Sequence, residues 1–355
     1  MFNIIEDLGE EHLIDPLRHV GDPITELSEV QFIKLFRVSK NIFHNIVETI
    51  HPFMNPHSNS KGLSVNTREL AALRFYASGS YQADIGCNWF IEVSQQSISN
   101  CLQEVTNALN HPEVLNRFIR FPQNVEELNI IRKSFSEKYN FPGVIGCIDC
   151  THVAIFPPKI DEYVFVNRKG YHSINVQLIC GANLEILNVI AKYPGSSHDS
   201  FIWNNGDIQN VFRNIHQAGM NGYYLLGDSG YPLRPWLMTP LEHEPAVNTP
   251  EYHYNKAHKR VRSIIERCNG LFKARFRCCR KDRVFHYAPE MACKIINACV
   301  VLHNICIKNN LILPEYENED DGLFDNLLEI GGINPELAAG KATCNRLITA
   351  RFQTN

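Results

Sequence analysis

Three carboxylates stand where a carboxylate is costly or out of keeping with its neighbours. Asp149 lies inside Gly143–Ile155, where Val144, Ile145, Ile148, Val153 and Ile155 read as a central strand covered on both faces. An ionised Asp there gives up hydration and needs a cation or several donors to offset the loss. A plain hydrogen bond to neighbouring backbone is the alternative. Asp228 follows a second apolar run, Tyr223–Leu226, in Gly227-Asp228-Ser229-Gly230. Glu266 belongs to a long helix predicted from about Asn255 to Arg277, on one stripe with Asn255, His258 and Arg262. Ionised together without counterions, these three groups would repel one another. Hard divalent cations, Mg²⁺ or Mn²⁺, take oxygen ligands and would relieve that repulsion. A pair of them about 3.5–4 Å apart is the arrangement that hydrolyses phosphodiesters.

The charge pattern agrees. The net charge is −4, yet eleven Lys and Arg residues fall between Asn255 and Arg283, opposed only by Glu266 and Asp282. A basic block on a mildly acidic chain is a candidate polyanion surface, although a charge run alone is more often a solvated helix face. The loop Asn167-Arg168-Lys169-Gly170-Tyr171-His172 is either a second phosphate contact or an exposed turn.

The elements that would position these groups follow from periodicity. Residues 1–138 read as an all-helical domain, with Phe32–Ile50 and a stretch from Thr67 among its helices. Ala83–Glu92, followed by Ser94 as an N-cap before Ile98, Leu102, Val105 and Leu109, suggests a helix-turn-helix at 83–109. Few positive charges on the second helix leave open a plain packing role. Residues 139–310 change character. The Asp149 strand, Ile174–Cys180 and Ile186–Ala191 have connections short enough for an antiparallel meander, and Tyr223–Leu226 adds a fourth strand. In Ile174–Cys180, Asn175, Gln177 and Ile179 share one side. Pro194-Gly195-Ser196-Ser197-His198-Asp199 leads into a helix that Ser197 or Asp199 could cap. Glu290–Ile307 is a last substantial helix, whose apolar stretch Ile295–Ile307, broken by Asn297, His303 and Asn304, is too short and too polar to span a bilayer, and residues 311–355 read as an acidic, partly flexible tail.

The twelve cysteines read as reduced, buried small hydrophobes, because the acidic start lacks the features of an export signal. Cys147 and Cys150 have CxxC spacing but point to opposite faces of a strand, and no second pair completes a zinc set.

Gly-Cys-Ile-Asp-Cys-Thr-His-Val, Asn-Arg-Lys-Gly-Tyr-His-Ser, Pro-Gly-Ser-Ser-His-Asp-Ser, Leu-Leu-Gly-Asp-Ser-Gly-Tyr-Pro-Leu and Tyr-Asn-Lys-Ala-His-Lys-Arg-Val-Arg-Ser-Ile-Ile-Glu-Arg stand in this order between about Thr67 and Asn309. Together they resemble the ordered motifs of the PIF/Harbinger DDE transposases, and most closely the Harbinger transposase-derived nucleases of animals. The resemblance implies an α/β, RNase H-like mixed sheet with flanking helices, and a DDE triad of Asp149, Asp228 and Glu266. It implies two Mg²⁺ or Mn²⁺ ions held by Asp149, Asp199, Asp228 and Glu266, with Asp199 open to the reading of a helix cap. DNA contacts would come from Arg168, Lys169, His172, His258, Lys259, Arg262, Lys273 and Arg275. The resemblance also implies a nuclear and cytoplasmic protein working with a separate Myb-like DNA-binding partner, off the membrane, and leaves a homo-oligomer open. Cys150 stands where such transposases often carry glycine, which points to the domesticated branch. A non-cutting DNA-binding or scaffold protein is the rival from a different class. A serine hydrolase built on Gly227-Asp228-Ser229-Gly230 lacks the flanking glycines of a nucleophile elbow.

Overall fold

A computed structural model describes residues 21–56, 62–87, 91, 93–311 and 335–352. The helices are α1 (Pro23–Glu26), α2 (Glu29–Phe36), α3 (Lys40–Ile50), α4 (Val65–Ser78), α5 (Gln82–Gly86), α6 (Gln95–Leu109), α7 (Pro112–Phe118) and α8 (Val125–Tyr139), followed by α9 (Asp199–Asn204), α10 (Asp207–Gln217), α11 (Pro250–Arg275), α12 (Pro289–Lys308) and α13 (Pro335–Arg351). The strands are β1 (Val144–Ala154), β2 (Ser173–Cys180), β3 (Ile186–Pro194), β4 (Tyr224–Leu226) and β5 (Leu237–Met238), in the sheet order β3-β2-β1-β4-β5. β1, β2 and β3 form the expected antiparallel meander, and β4 and β5 join on the other side of β1 in parallel. This is the expected mixed sheet with flanking helices. β5 is an addition to the four expected strands.

Alternation along β1 is re-phased once. Ile145 and Ile148 both face the smaller core against α8 and α10, although an odd spacing should separate them, because the register against β4 shifts between Val144 and Gly146. Downstream of the shift the odd-numbered residues face α11: Cys147 Sγ donates to Val261 O at 3.5 Å, and Val153 and Ile155 join the larger core. The shift therefore turns Asp149 towards α11. On β2, Ile179 lies in the smaller core while Ile174, Val176, Leu178 and Cys180 lie in the larger.

The helical residues up to 138 do not form a separate core. Phe32, Phe43, Leu73 and Leu102 belong to the same apolar cluster as Val144, Leu178, Ile265 and Val301. α12 is the one helix among the described residues with the length and composition of a membrane span, yet Ile295, Ile296 and Ala298–Leu302 are fully covered by protein. Within 83–109 the described residues hold α5 and α6, with Ser94 accepting from Ser97 N as an N-cap. Glu92 lies outside the described residues. The solvent face of α6 carries Gln95, Gln96, Asn100, Gln103 and Asn107 and no cation.

The expected carboxy-terminal tail contains α13, which buries Gly340, Thr343, Cys344, Leu347 and Ile348. Glu336 anchors its start, one oxygen 3.1 Å from Arg213 Nε and the other 3.1 Å from Arg234 Nε. The acidic cluster Glu315–Asp321 lies outside the described residues.

Candidate metal centre and nucleic-acid face

Asp149, Asp199 and Asp228 converge, each offering a carboxylate oxygen within 4.8 Å of the others. Each comes from a different kind of local structure. Asp149 is held in mid-strand. Asp228 follows the end of β4, where Gly227 N donates to Met238 O and Asp228 Oδ1 accepts from Gly230 N at 3.0 Å. A side chain at 227 would press on the Tyr231 ring, so the turn needs its glycine. Asp199 is the first residue of α9, and no side chain caps that helix. Its Oδ1 accepts instead from Asn175 Nδ2 at 3.1 Å, and the same amide donates to Ser197 O at 2.8 Å. Gly195 lets this loop close on β2, since a Cβ there would sit 2.4 Å from Ser173 Oγ. Asn175 thus fixes Asp199, a role that its side of β2 hinted at but its residue type did not announce.

Electrostatics make the cluster a demanding one. Burial, then the neighbouring Asp228 and Asp199, push the Asp149 carboxyl up to about 8, against the opposing pull of Arg262. Asp228 is raised as well, by burial first and then by Asp199, with Arg262, the Gly230 N–H and Arg168 pulling it down. Two raised carboxyls beside a third oxygen donor fit a hard divalent cation.

Glu266 is not a member of the cluster. Its side chain is 51% exposed and pairs with Arg262 Nη2 at 2.8 Å, while Arg262 Nη1 lies 3.7 Å from Asp149 Oδ2. The guanidinium thus occupies the place between the first and the third of the expected triad. Glu266 is on the same side of the sheet as Asp149, one arginine away.

The expected phosphate contacts divide. Lys259 is exposed on α11, and Arg168 and Lys169 are exposed on a turn that Asn167 builds, its Oδ1 accepting from Lys169 N at 2.9 Å and its Nδ2 donating to Ser173 Oγ at 2.8 Å. His172 Nε2 lies 3.0 Å from Glu162 Oε1, and Lys273 Nζ donates to His152 O at 3.1 Å. Arg262 is turned into the carboxylates. His258 and Arg275 are fully buried, which removes them from any nucleic-acid surface. His258 Nε2 reaches Met238 O at 3.1 Å and ties α11 to β5, and Arg275 Nη2 donates to Leu311 O at 2.8 Å. The signal was in the spacing. His258 and Arg275 continue the stripe Tyr254, Val261, Ile265, Cys268 and Phe272, whose steps of three and four mark the buried face of the helix. Arg275→Ala is expected to cost about 2–4 kcal/mol in urea unfolding, because it leaves buried carbonyls unpaired and a cavity behind. Unchanged stability with weakened DNA binding would return Arg275 to the surface.

Residues 148–304 match the family described as DDE superfamily endonuclease. The chain is 36% identical over 291 residues to a human protein named "Putative nuclease HARBI1", covering 81% of this chain and 80% of that one. The chain belongs to the Harbinger transposase-derived nucleases. A rat protein of the same name is 35% identical over 327 residues, covering 88% of this chain and 91% of that one. More distant, at 26% identity over 311 residues, is the Arabidopsis thaliana protein named antagonist of like heterochromatin protein 1, with 82% and 76% covered. No solved structure gives a significant match. Asp149, Asp199, Asp228 and Glu266 all fall inside the endonuclease region of this Harbinger-derived chain. Nuclease descent, divalent-metal use and a DNA substrate are what membership of this family implies.

Proposed function

We propose that the protein is a divalent-metal-dependent nuclease that hydrolyses DNA phosphodiester bonds. The observation that carries the reading is the convergence of Asp149, Asp199 and Asp228 from a strand, a helix start and a turn. These three would hold Mg²⁺ or Mn²⁺, two ions in this reading, with Glu266 completing the set. Such ions, when bound, lower the pKa of an attacking water and neutralise the leaving oxygen. The chain does the rest. Asn175 fixes one carboxylate, and Arg262 balances the charge of Asp149 and ties Glu266 beside it. Arg168, whose charge acts on Asp228, would contact the phosphate backbone together with the exposed Lys169 and Lys259.

The cation-free face of α6 supports a separate Myb-like protein as the source of sequence recognition. The same reading has the protein working in nucleus and cytoplasm. A second reading, a DNA-binding scaffold that no longer cuts, is favoured by one observation, the retention of Glu266 by Arg262 outside the carboxylate cluster. The deciding experiment is Mg²⁺- or Mn²⁺-dependent nicking of supercoiled plasmid by purified protein, alone and with a Myb-like partner. Nicking that disappears with Asp149→Ala supports the nuclease. Nicking that survives that substitution removes the mechanism, and DNA binding without cleavage under each metal and partner establishes the scaffold.

A further inference from the structure

A second set of metal-ligating side chains lies away from the carboxylates. Cys278 and Cys279 form the short helical turn after α11, and Cys299 comes from the middle of α12. All three are fully buried. Cys278 Sγ is 3.8 Å from Cys279 Sγ and 3.7 Å from Cys299 Sγ, and the three sulfurs lie within 4.8 Å of one another. Sulfurs bound tetrahedrally at about 2.3 Å from zinc are separated by about 3.8 Å, so these thiols stand at the spacing of three corners of a zinc tetrahedron. Thiols packed merely as small hydrophobes are under no such constraint.

The surroundings close the three thiols off from solvent. α4 packs over the turn so closely that a Cβ on Gly79 would come within 2.9 Å of Cys278 Cα. From the same helix comes Tyr76, whose hydroxyl lies 2.7 Å from Thr106 Oγ1. Burial first, then Cys299, Glu69 and Cys278, hold that hydroxyl well above the usual phenol range, with the Thr106 bond opposing. Glu69 is itself fully buried, with no hydrogen-bond partner on either carboxylate oxygen.

We propose that Cys278, Cys279 and Cys299 bind one zinc ion, which staples the end of α11 to α12 beneath α4. The fourth corner is left to water or another small ligand. Soft thiolate donors select zinc over the Mg²⁺ or Mn²⁺ suited to the three aspartates, so the two centres divide the metals by ligand chemistry. No part of this depends on DNA cleavage.

The test uses the full chain produced with added Zn²⁺ and then desalted. One zinc per chain is expected by elemental analysis, undiminished in Asp149→Asn and lost in a Cys278→Ser/Cys299→Ser variant. Replacing zinc by Co²⁺ in the unmutated protein should give a thiolate-to-cobalt charge-transfer band and intense tetrahedral d–d bands, a readout that no unfolding of a variant can mimic. Chelation should lower the melting temperature of the unmutated chain, and the Cys293→Ser control should keep both metal and spectrum. Absence of zinc, a cobalt spectrum without the thiolate band, or zinc lost with Asp149→Asn instead of the cysteine variant overturns the assignment.

Discussion

Asp199→Ala should abolish metal-dependent nicking as completely as Asp149→Ala or Asp228→Ala, a loss on the order of 10³-fold or more for groups that act as one unit. The expectation rests on geometry. Asp199 is within 4.8 Å of both other aspartates, is not a cap, and has a side-chain donor fixing it. Glu266→Gln should behave differently. Its carboxylate begins in the grip of Arg262, so the substitution should leave the Mn²⁺ affinity of the DNA-free protein within a few-fold while lowering the nicking rate. The two measurements, Mn²⁺ titration by calorimetry and plasmid nicking at saturating Mn²⁺, separate a residue that builds the site from one that completes it. Full Mn²⁺ affinity in Asp199→Ala together with a loss in Glu266→Gln would reverse these roles.

The difference between Asp199 and Glu266 shows where a sequence stops being legible. Both residue types and both motifs can be read directly. What cannot be read is that Arg262, one helical turn before Glu266, sits between it and Asp149, because that depends on the angle at which α11 crosses β1. The meander and β4 were legible for a physical reason: apolar runs with short connections leave few ways to pair. β5 was not, since two residues in a proline-bearing stretch carry no periodicity, and only pairing with β4 makes them a strand. α13 escaped because its buried face is made of Gly340, Thr343, Cys344, Leu347 and Ile348, a stripe too small and mixed to stand out behind an acidic stretch. In α11 the basic run hid a readable pattern, since charge drew attention to His258 and Arg275 while their spacing placed them in the core. The thiol cluster lay beyond reach for another reason. A vicinal pair and a cysteine on the next helix match no zinc spacing, and only the packing of α12 against the turn brings them together.

Divalent-metal stabilisation of the protein is expected to grow steeply with pH. Asp149 titrates near 8 because burial, Asp228 and Asp199 outweigh the pull of Arg262, so below that pH an incoming ion must displace a proton. Apparent Mn²⁺ affinity should then fall about tenfold per pH unit below about 8 and flatten above it, and nicking at limiting Mn²⁺ should follow the same line. The metal-free protein has the opposite slope. An Asp that ionises near 4 when unfolded and near 8 when folded binds more protons in the native state between those values. Its contribution to stability is complete below about 4 and is lost at about 1.4 kcal/mol per pH unit as pH rises to about 8. Glu69, which burial also pushes up to about 8, adds a loss of the same sign, but it lies outside the carboxylate cluster and its share will not be restored by Mn²⁺. Asp149→Asn separates the two, because it should flatten part of the metal-free decline and remove the pH-dependent gain from Mn²⁺ while leaving the Glu69 share intact. Melting curves between pH 5 and about 8.5, with and without Mn²⁺, read both slopes. An Mn²⁺-induced shift of equal size at both ends of that range would mean that Asp149 is already ionised at the lower pH, and that Arg262 alone balances the cluster.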